Sequence, residues 1–503
     1  MGRLRLDEVL EGGVELEIRG DPGADITGIA YDSRRVNRGD LFCAITGQVT
    51  DGHRYLEAAL DRGAAALLVE QVPRGVPVPV VRAADSRRAM ALAAANFHRR
   101  PSLKLRVVGV TGTKGKTTTA FLLRTILEGA GVPTGLVGTV ANVVGGRERP
   151  VERTTPEAPD LQALLAEMVA AGDRAVVMEV SSHALVLSRV EGCRFDTAVF
   201  TNLGRDHLDF HPSHEAYRDA KLRLFTGLGE DAKEGRRTAV INLDDPAAGH
   251  FLAASPVAAF TFGLGSQALV RGEDLVLDGE GTSFTLRAGW PGEPGEVEIP
   301  FRVNVPGRFN VYNSLAAITA GMAEGVHPAV MPEILAGAPR VPGRLEKVEE
   351  GQDFTVLVDY AHTPDSLENV LATTRECSPG RLIVVFGCGG DRDRGKRPLM
   401  GRVAVEGADL VVLTSDNPRS ENPAAILEDI LAGTGPPDPS RLWVEPDRRQ
   451  AIRRAVAIAR RGDTVVLAGK GHETYQQVGD TKFPFDDREE ARRAIRERPA
   501  AGP

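Results

Sequence analysis

The chain has 503 residues, 42% of them apolar and 5% aromatic, with 61 basic against 69 acidic side chains and a net charge of −8. This length predicts about three domains with aliphatic cores, and the acidic balance excludes a general nucleic-acid-binding surface, which must be basic. The four cysteines form no CxxC pair, the N-terminus lacks an apolar signal segment and no run of about 18 apolar residues exists, so we expect a cytoplasmic protein without disulfides, thiolate zinc or a membrane span.

The first hundred residues predict a small α/β domain. Short apolar runs such as 40–45 alternate with Ala-rich helical stretches at 56–65 and 86–99. The polar segment 98–102 is interrupted by a proline and marks a boundary. We therefore assign residues 1–102 to an N-terminal domain.

Residues 103–340 alternate β-branched runs with helical patterns, which is typical of a mostly parallel sheet. The strand at 106–110 leads into a helix over 115–128, whose apolar residues recur every three or four positions. Further strands are predicted at 134–139, 175–180, 197–202 and 238–242. From 257 to 305 the pattern changes to short alternating strands with glycine turns, which predicts a small antiparallel insertion or edge.

Residues 341–503 repeat strand and helix, so the sequence predicts a C-terminal Rossmann-like, doubly wound domain. Its strands are predicted at 355–359, 382–386, 410–414, 442–444 and 465–468, and its helices start near Ser366, Lys396, Pro423 and Arg448. The predicted fold class is α/β in three domains: a small N-terminal α/β domain, a central P-loop ATPase-like sheet and this C-terminal domain.

Unusual polar residues follow the predicted strands of both large sheets. They are Glu179, Asn202, Asp359 and the segments 387–390, 415–417 and 469–472. In open α/β sheets, ligands bind at the carboxyl ends of the strands. We therefore interpret the two sheet edges as parts of one composite site.

The strongest motif is a glycine-rich loop between the strand at 106–110 and the helix that follows it. It comprises Gly112, Thr113, Lys114, Gly115, Lys116, Thr117 and Thr118. Backbone N–H groups of such a loop surround phosphates, the lysine neutralises the outer phosphates, and the Thr117 hydroxyl can bind Mg²⁺. Val110 stands where the usual spacing has glycine, and an ordinary strand-to-helix turn is the alternative interpretation. The loop alone predicts a nucleoside triphosphate and magnesium without a reaction.

Three other groups of residues leave alternatives open. His207 and His211 are four apart and could bind a metal on one helix face, or belong to a polar loop. Glu179 ends a buried strand and needs a partner, which is either Mg²⁺ or a basic side chain. The charged run 391–397 is either a solvated surface or an anion site at a strand end.

Together these motifs resemble those of the Mur ligase family, ATP-dependent enzymes that add amino acids to the cell-wall precursor. The resemblance spans all three predicted domains and is nearest to the members that add meso-2,6-diaminopimelate to UDP-N-acetylmuramoyl-L-alanyl-D-glutamate. The matching segments are 32–34 (DSR), 39–42 (GDLF), 111–119 (TGTKGKTTT), 154–157 (TTPE), 178–185 (MEVSSHAL), 201–211 (TNLGRDHLDFH), 219–221 (DAK), 342–344 (PGR), 358–364 (VDYAHTP), 387–398 (GCGGDRDRGKRP), 416–419 (DNPR) and 469–476 (GKGHETYQ).

The resemblance implies ligation through an acyl phosphate, with ATP as co-substrate and Mg²⁺ as cofactor. It implies that Lys116, His207 and Lys221 are catalytic, and that Thr117, Glu179, His207 and a carbamate on Lys221 bind the metal. The carbamate would be an anion on what otherwise reads as a surface lysine. Arg344 and Asp359 match positions that help to bind ATP.

For the nucleotide substrate, the resemblance implies binding by Tyr31, Ser33, Gln48, Val49, Thr50, Thr154, Thr155, Ser181 and Arg189. For diaminopimelate it implies Arg392, Asp416, Asn417, Pro418, Arg419, Gly469 and Glu473. The chemistry agrees, because an arginine can hold the second carboxylate of diaminopimelate, which lysine lacks, in a bidentate contact. The segment 416–419 is also a turn pattern. We expect a monomer with no nucleic-acid partner.

Two departures from the family pattern are Lys114, where many members have Asn, and Leu187, where some carry Gln. The main alternative is the lysine-adding ligase on the same scaffold, with a folylpolyglutamate-type ligase behind it. Arg419 is an argument against the first, and the N-terminal DSR segment against the second. Alternatives of other classes are a P-loop ATPase switch or motor, and a metal hydrolase built on His207 and His211.

Overall fold

The computed structural model describes residues 2–13, 15–47, 50–207, 210–229, 233, 235, 237–278, 281–292, 294–436 and 438–498. The chain divides into two compact units, Met1–Phe262 with Ala316–Val326 and Gly263–Leu315 with His327–Pro503. These units are larger than the predicted domains, whose bounds remain predictions. None of the helices in the described ranges is long and apolar enough to cross a membrane.

The N-terminal part of the first unit is a small mixed sheet with helices. Its elements are β1 (Leu4–Arg5), α1 (Leu6–Val9), β2 (Glu17–Arg19), β3 (Asp25–Ile26), β4 (Gly28–Ala30), β5 (Asp40–Cys43), α2 (Leu56–Asp61), β6 (Ala66–Val69), β7 (Val80–Arg82) and α3 (Ser86–Phe97). The order is β2-β7-β6-β5-β4, with β2 antiparallel to β7 and the others parallel, and β1 pairs with β3 separately. Asp85 caps α3 by accepting from the Arg88 amide at 3.0 Å.

The rest of the first unit is built on a mostly parallel sheet. Its elements are β8 (Arg106–Thr111), α4 (Lys116–Gly129), β9 (Thr134–Val137), β10 (Asn142–Val144), β11 (Arg147–Arg149), α5 (Ala158–Ala171), β12 (Ala175–Glu179), α6 (Ser182–Val186), β13 (Thr197–Phe200), α7 (His214–Thr226), β14 (Thr238–Asn242), α8 (Ala248–Ala254) and β15 (Ala259–Gly263). The order is β11-β10-β9-β12-β8-β13-β14-β15, and only β10 and β11 run antiparallel to their neighbours.

This order places the polar strand ends of the first unit beside the glycine-rich loop. Strands β12 and β13 flank β8, in register from Ala175 opposite Arg106 and from Thr197 opposite Val108. Strands β12 and β13 are buried along their whole length and β8 from Val107 onward, as expected for a sheet covered by helices on both faces. The predicted mixed α/β architecture with a parallel central sheet is confirmed.

The second unit begins with an antiparallel meander and continues as a Rossmann-like sheet. Its elements are β16 (Val270–Asp278), β17 (Gly281–Ala288), β18 (Val297–Val303), α9 (Arg308–Ala323, shared with the first unit), α10 (Met331–Ala336), β19 (Glu346–Lys347), β20 (Thr355–Asp359), α11 (Pro364–Cys377), β21 (Leu382–Phe386), α12 (Lys396–Gly407), β22 (Leu410–Leu413), α13 (Pro423–Leu431), β23 (Leu442–Val444), α14 (Arg448–Ile458), β24 (Thr464–Ala468), β25 (Tyr475–Val478), β26 (Thr481–Pro484) and α15 (Asp487–Arg496). The Rossmann-like order is β19-β20-β24-β21-β22-β23. Strand β19 is antiparallel to β20, and the other five strands are parallel to one another.

Some elements differ from the sequence prediction. The helix predicted over 56–65 ends at Asp61, because Gly63 takes a left-handed φ of +92° and the chain then enters β6. The hairpin of β25 and β26 and the last helix, α15, were not predicted. The antiparallel strands within 257–305 were predicted and are β16, β17 and β18.

The four cysteines are free thiols. Cys43, Cys193 and Cys388 are buried, and Cys377 is partly exposed at the end of α11. Burial raises the pKa of Cys193 and of Cys388 to about 12. The prediction that the chain contains no disulfide agrees with this state of the thiols.

Candidate active site

The glycine-rich loop connects β8 to α4 and has a backbone that side chains would not tolerate. Gly112 has a φ of +150°, and a Cβ there would lie 1.9 Å from Thr201 Oγ1. Gly115 has a φ of +85° where α4 begins. Lys116 donates from Nζ to the carbonyl oxygens of Gly112 at 2.8 Å and Thr113 at 3.0 Å. The ammonium group is therefore held against the loop, where a phosphate chain needs positive charge.

The loop is fixed from the neighbouring strand by residues that follow β13. Asn202 accepts from the Lys114 amide at 2.9 Å and donates back to the Lys114 carbonyl at 3.0 Å. Thr201 donates to the same carbonyl at 2.7 Å. Sequence reasoning placed Asn202 at the sheet edge without a role. Its signal was an amide side chain directly after an apolar strand.

A cluster of oxygen atoms lies at the end of β12. Glu179 is 1% exposed and accepts from the Thr117 hydroxyl at 3.0 Å. Thr139 donates to the same carboxylate from its amide at 2.8 Å and its hydroxyl at 3.1 Å. A carboxylate beside the Thr117 hydroxyl is the type of hard oxygen donor set that Mg²⁺ prefers. The chemistry of these residues therefore fits the implied metal.

Lys221 is a buried lysine of α7, which the sequence interpretation had as either a surface residue or a carbamate. It is 1% exposed, donates to the Gly112 carbonyl at 2.9 Å and lies 4.3 Å from the centre of the Tyr217 ring. Burial first and the neighbouring Lys116 second hold the pKa of the Lys221 amine well below its ordinary value, against the opposing charge of Asp206. A surface position is therefore wrong, and the neutral amine is the form that can react with CO₂.

The two predicted histidines have different environments. His207 has a left-handed φ of +55°, and its Nε2 lies 3.6 Å from Asp206 Oδ2. His211 is 3% exposed, and its Nε2 lies 2.9 Å from Ser182 Oγ. The described residues contain no group of three or more His, Cys, Asp and Glu side chains placed to hold a metal ion.

The residues implied in binding the peptide end of the substrate are connected to Glu179. Thr154 Oγ1 lies 3.0 Å from Thr139 Oγ1. Thr155 donates to the Glu179 backbone carbonyl at 2.8 Å and lies 3.3 Å from Ser181 Oγ. Arg189 Nη1 donates to the Thr155 carbonyl at 3.1 Å. All four residues therefore border the oxygen cluster at the end of β12.

A cavity of about 300 Å³ lies beside β4 and contains Tyr31, a residue implied in nucleotide binding. Its wall also includes Asp32, Arg35, His98 and Asp160. The Tyr31 hydroxyl donates to the Asp160 carboxylate, and burial first raises the pKa of this tyrosine. The cavity has both polar and apolar walls, which come from the N-terminal sheet, the end of α3 and α5.

The other described residues implied in nucleotide binding, Ser33 and Thr50, are not among those that line this cavity. Ser33 begins a short turn that Asp32 caps by accepting from the Arg34 amide at 2.9 Å. Thr50 Oγ1 lies 3.1 Å from the Tyr55 hydroxyl. Gln48 and Val49 lie outside the described residues.

In the second unit, Asp359 ends β20 and lies beside Arg344. Its carboxylate accepts from the amides of Leu345 and Ala361, each at 2.8 Å, and it is 6% exposed. Burial raises the pKa of Asp359, and the charge of Arg344 opposes this shift. The Arg344 guanidinium lies 5.1 Å from the centre of the Tyr360 ring. The pair implied in ATP binding is therefore brought together.

Several residues implied in diaminopimelate binding surround Lys470, a lysine to which sequence reasoning gave no role. Lys470 is fully buried and donates to Asn417 Oδ1 and to Glu473 Oε2, each at 3.1 Å. Its Nζ lies 3.9 Å from Asp416 Oδ1. A Cβ at Gly469, which has a φ of +113°, would lie 2.7 Å from Asp416 Oδ2. The sequence signals for Lys470 were its place in the polar strand-end segment 469–472 and in the matched segment 469–476.

Arg419 and Arg392 both border Gly389. A Cβ at Gly389 would lie 2.9 Å from Arg419 Nη1 and 3.9 Å from Arg392 Cγ. Arg419 has a left-handed φ of +51° and donates to the Gly390 carbonyl at 2.7 Å. Pro418 before it is buried, and Arg419 forms an isolated β-bridge with Val478. The turn lies slightly later than the predicted segment 416–419, because the Glu421 amide donates to the Pro418 carbonyl at 3.1 Å. The Arg419 guanidinium and the side-chain stem of Arg392 therefore both lie beside Gly389.

Comparison with known proteins covers nearly the whole chain. Three domain families match: "Mur ligase family, catalytic domain" over residues 25–105, "Mur ligase middle domain" over 110–321, and "Mur ligase, glutamate ligase domain" over 343–471. A UDP-N-acetylmuramoyl-L-alanyl-D-glutamate–2,6-diaminopimelate ligase of Syntrophomonas wolfei is 46% identical, covering 98% of this chain and 99% of its own. The enzyme of the same name from Gloeobacter violaceus is 48% identical over the full length of both chains.

A solved structure of a ligase with that name has the same fold. It superimposes with a TM-score of 0.69 at 34% identity, covering 98% of this chain and 99% of the other. The phosphate loop, the buried Glu179 and Lys221, and the matches along the whole sequence agree with one another. The chain therefore belongs to the Mur ligase family.

Proposed function

We propose that this chain is the ATP-dependent ligase that adds meso-2,6-diaminopimelate to UDP-N-acetylmuramoyl-L-alanyl-D-glutamate in peptidoglycan precursor synthesis. Relatives with this name match the chain end to end at 46% and 48% identity. The structural observation that carries the proposal is the meeting of the phosphate loop, Glu179 and Lys221 at one sheet edge. A P-loop switch or a histidine-based hydrolase would not account for these full-length relatives.

The reaction consists of two group transfers. First, an oxygen of the D-glutamyl side-chain carboxylate attacks the γ-phosphorus of ATP, the bond to the β-phosphate oxygen breaks, and ADP leaves. Then the amine of diaminopimelate attacks the acyl carbon, phosphate leaves with the bonding electron pair, and the nitrogen loses a proton. In the first step Lys116 and the loop amides stabilise the charge of the transferring phosphoryl group.

The implied metal ion would be held by Thr117, Glu179, His207 and a carbamate on Lys221. Bound Mg²⁺ would supply charge neutralisation to the phosphates. The low pKa of Lys221 favours the neutral amine that forms a carbamate with CO₂. The hydrogen bond from Lys221 to the Gly112 carbonyl supports a carbamate next to the phosphate loop.

We propose that the remaining residues divide among the substrates as the family resemblance implies. Residues 1–102 hold the UDP end with Tyr31, Ser33 and the segment 48–50, and 103–340 hold ATP. Thr154, Thr155, Ser181 and Arg189 contact the peptide. In 341–503, Arg344 and Asp359 contribute to ATP binding, and the residues implied in diaminopimelate binding hold the incoming amino acid.

Diaminopimelate recognition is assigned to Arg392 and the residues around Lys470. Arg419 and Arg392 provide two guanidinium groups for the distal carboxylate, and Asp416, Asn417 and Glu473 provide acceptors for an ammonium group. The backbone of Pro418 and Gly469 shapes the turns that carry them. The alternative substrate, L-lysine, has no carboxylate for these arginines.

We also propose that the enzyme acts as a monomer in the cytoplasm. Thiols kept free by burial agree with a reducing compartment.

The test is phosphate release from ATP with Mg²⁺ and the nucleotide substrate, comparing meso-diaminopimelate, L-lysine and no amino acid. We expect release with meso-diaminopimelate alone, and a much smaller rate with the Arg419→Leu variant. Release with lysine alone would contradict the amino-acid assignment but keep the ligase. Equal release in every tube, including those without nucleotide substrate, would contradict the ligase itself.

A further inference from the structure

Three arginines converge on one buried carboxylate at the start of α5. Glu157 Oε1 lies 2.7 Å from Arg153 Nη1 and 2.9 Å from Arg189 Nη2, and its Oε2 lies 3.2 Å from Arg87 Nη1. Glu157 is 4% exposed. We call Arg87, Arg153 and Arg189 the arginine cluster. It comes from three separate parts of the chain: α3, the segment before α5 and the segment after α6.

The cluster carries more positive charge than its partner can neutralise. Three guanidinium groups face one carboxylate, which leaves two positive charges in excess, and arginine cannot lose its proton in a protein. Arg189 and Arg87 are largely buried, with side chains 12% and 16% exposed. Burial first lowers the pKa of Arg189, and Arg153 and Arg87 lower it further against the pull of Glu157. The Arg153 side chain is 49% exposed and reaches water, but the like charges of Arg87 and Arg189 lie largely away from water, which is costly unless an anion joins them.

The cluster also has an unused donor. Arg189 Nε is buried and has no hydrogen-bond partner among the described residues. A buried guanidinium N–H without an acceptor is unfavourable. Both the charge and the free donor therefore favour an anionic ligand.

The position of the cluster connects two parts of the proposed nucleotide site. Arg189 donates to the Thr155 carbonyl at 3.1 Å, next to the residues assigned to the peptide. Arg87 donates from Nε to the Thr46 carbonyl at 3.4 Å, in the segment that leads to the residues assigned to UDP. A nucleotide substrate that spans these two places carries anionic groups between them and at its peptide end.

We propose that Arg87 and Arg153, together with Arg189, form a receptor for an anionic group of the nucleotide substrate, either a phosphate of its diphosphate or a carboxylate of its glutamyl residue. This inference rests on the proposed function and extends it to two residues outside the family-matched motifs. Glu157 acts as the positioning residue, because it holds the three guanidinium groups together when the substrate is absent.

The experiment compares Arg87→Gln and Arg153→Gln with Arg88→Gln. Arg88 is the matched control, because it follows Arg87 on α3 but forms an exposed pair with Glu191 at 2.8 Å. We expect the KM for the nucleotide substrate to rise roughly 10- to 100-fold in the first two variants, since a charged hydrogen bond is lost. The KM values for ATP and diaminopimelate and the melting temperature should stay near those of Arg88→Gln.

Titration calorimetry with UDP, UDP-N-acetylmuramoyl-L-Ala and UDP-N-acetylmuramoyl-L-Ala-D-Glu identifies the anion. If Arg87→Gln binds all three nucleotides more weakly, the arginine cluster holds the diphosphate. If it binds only UDP-N-acetylmuramoyl-L-Ala-D-Glu more weakly, the cluster holds the glutamyl carboxylate. Equal affinities of Arg87→Gln, Arg153→Gln and Arg88→Gln for every ligand would overturn the receptor. If wild-type protein bound none of these nucleotides, the proposed function itself would fail, and this inference with it.

Discussion

A fully buried ion pair stabilises the end of β24, and its removal should be costly. Arg448 donates from Nε and Nη2 to the two carboxylate oxygens of Asp487 at 2.8 and 2.6 Å, and from Nη2 to the Ala468 carbonyl at 3.0 Å. Both side chains are 0% exposed. In the Asp487→Asn variant, the guanidinium stays buried without a counter-charge. We therefore expect the free energy of unfolding to fall by about 3–5 kcal/mol.

The assay is urea unfolding followed by tryptophan fluorescence. Trp290 and Trp443 are the two tryptophans of the chain, and both belong to the second unit, so the signal reports the unit that contains the pair. The matched control is Glu497→Gln, which breaks the pair with Arg453 of α14, whose two side chains are 54% and 37% exposed. That change should cost about 1 kcal/mol or less, because exposed pairs contribute little.

A double variant separates charge burial from packing. Replacing Arg448 by Met together with Asp487 by Leu removes both charges and keeps apolar volume, so stability should return to within about 1 kcal/mol of the wild type. The reasoning would be refuted if Asp487→Asn cost no more than Glu497→Gln. It would equally be refuted if the double variant were as unstable as the single one.

Three further predictions concern the first unit. Glu179→Gln should raise the Mg²⁺ concentration needed for half-maximal phosphate release at least about tenfold. An unchanged Mg²⁺ concentration for half-maximal release would show that Glu179 does not bind the metal. Gly112→Ala should abolish ADP binding in calorimetry, because its Cβ would lie 1.9 Å from Thr201 Oγ1, whereas Gly227→Ala, with no atom within 4 Å of its Cβ, should bind normally. Burial raises the pKa of Glu324 above its ordinary 4.5, so the carboxyl contributes stability at low pH that is lost as pH rises through the folded-state pKa. The melting temperature of Glu324→Gln relative to wild type should therefore be higher at pH 7.5 than at pH 5, and a constant difference would contradict this pKa.

The sequence predicted those features that depend on local patterns. Parallel strands with continuous apolar runs, the glycine-rich loop and the helix after it are all encoded within about 20 neighbouring residues. The hairpin of β25 and β26 was missed because its strands, YQQV and TKFP, are largely exposed and show no apolar alternation. Its turn, Gly479-Asp480, was the available signal.

Contacts between distant residues could not be predicted in the same way. Asn202 meets Lys114 across 88 positions, and Lys470 meets Asn417 across 53. Contacts between residues so far apart in the sequence depend on which strands become neighbours in the sheet. The burial of Lys221 had no sequence signal either, because the charge pattern of α7 is that of a surface helix. The family resemblance selected these residues, and the fold supplies the physical reason for their chemistry.

The state of the four thiols has a practical consequence for labelling. Three are buried, and burial raises their pKa values, so their thiolates are scarce at neutral pH. Cys377 at the end of α11 is the partly exposed one. Native protein treated with a maleimide should therefore take up one label per chain, at Cys377. A dye or spin probe could be attached to the second unit without replacing any residue.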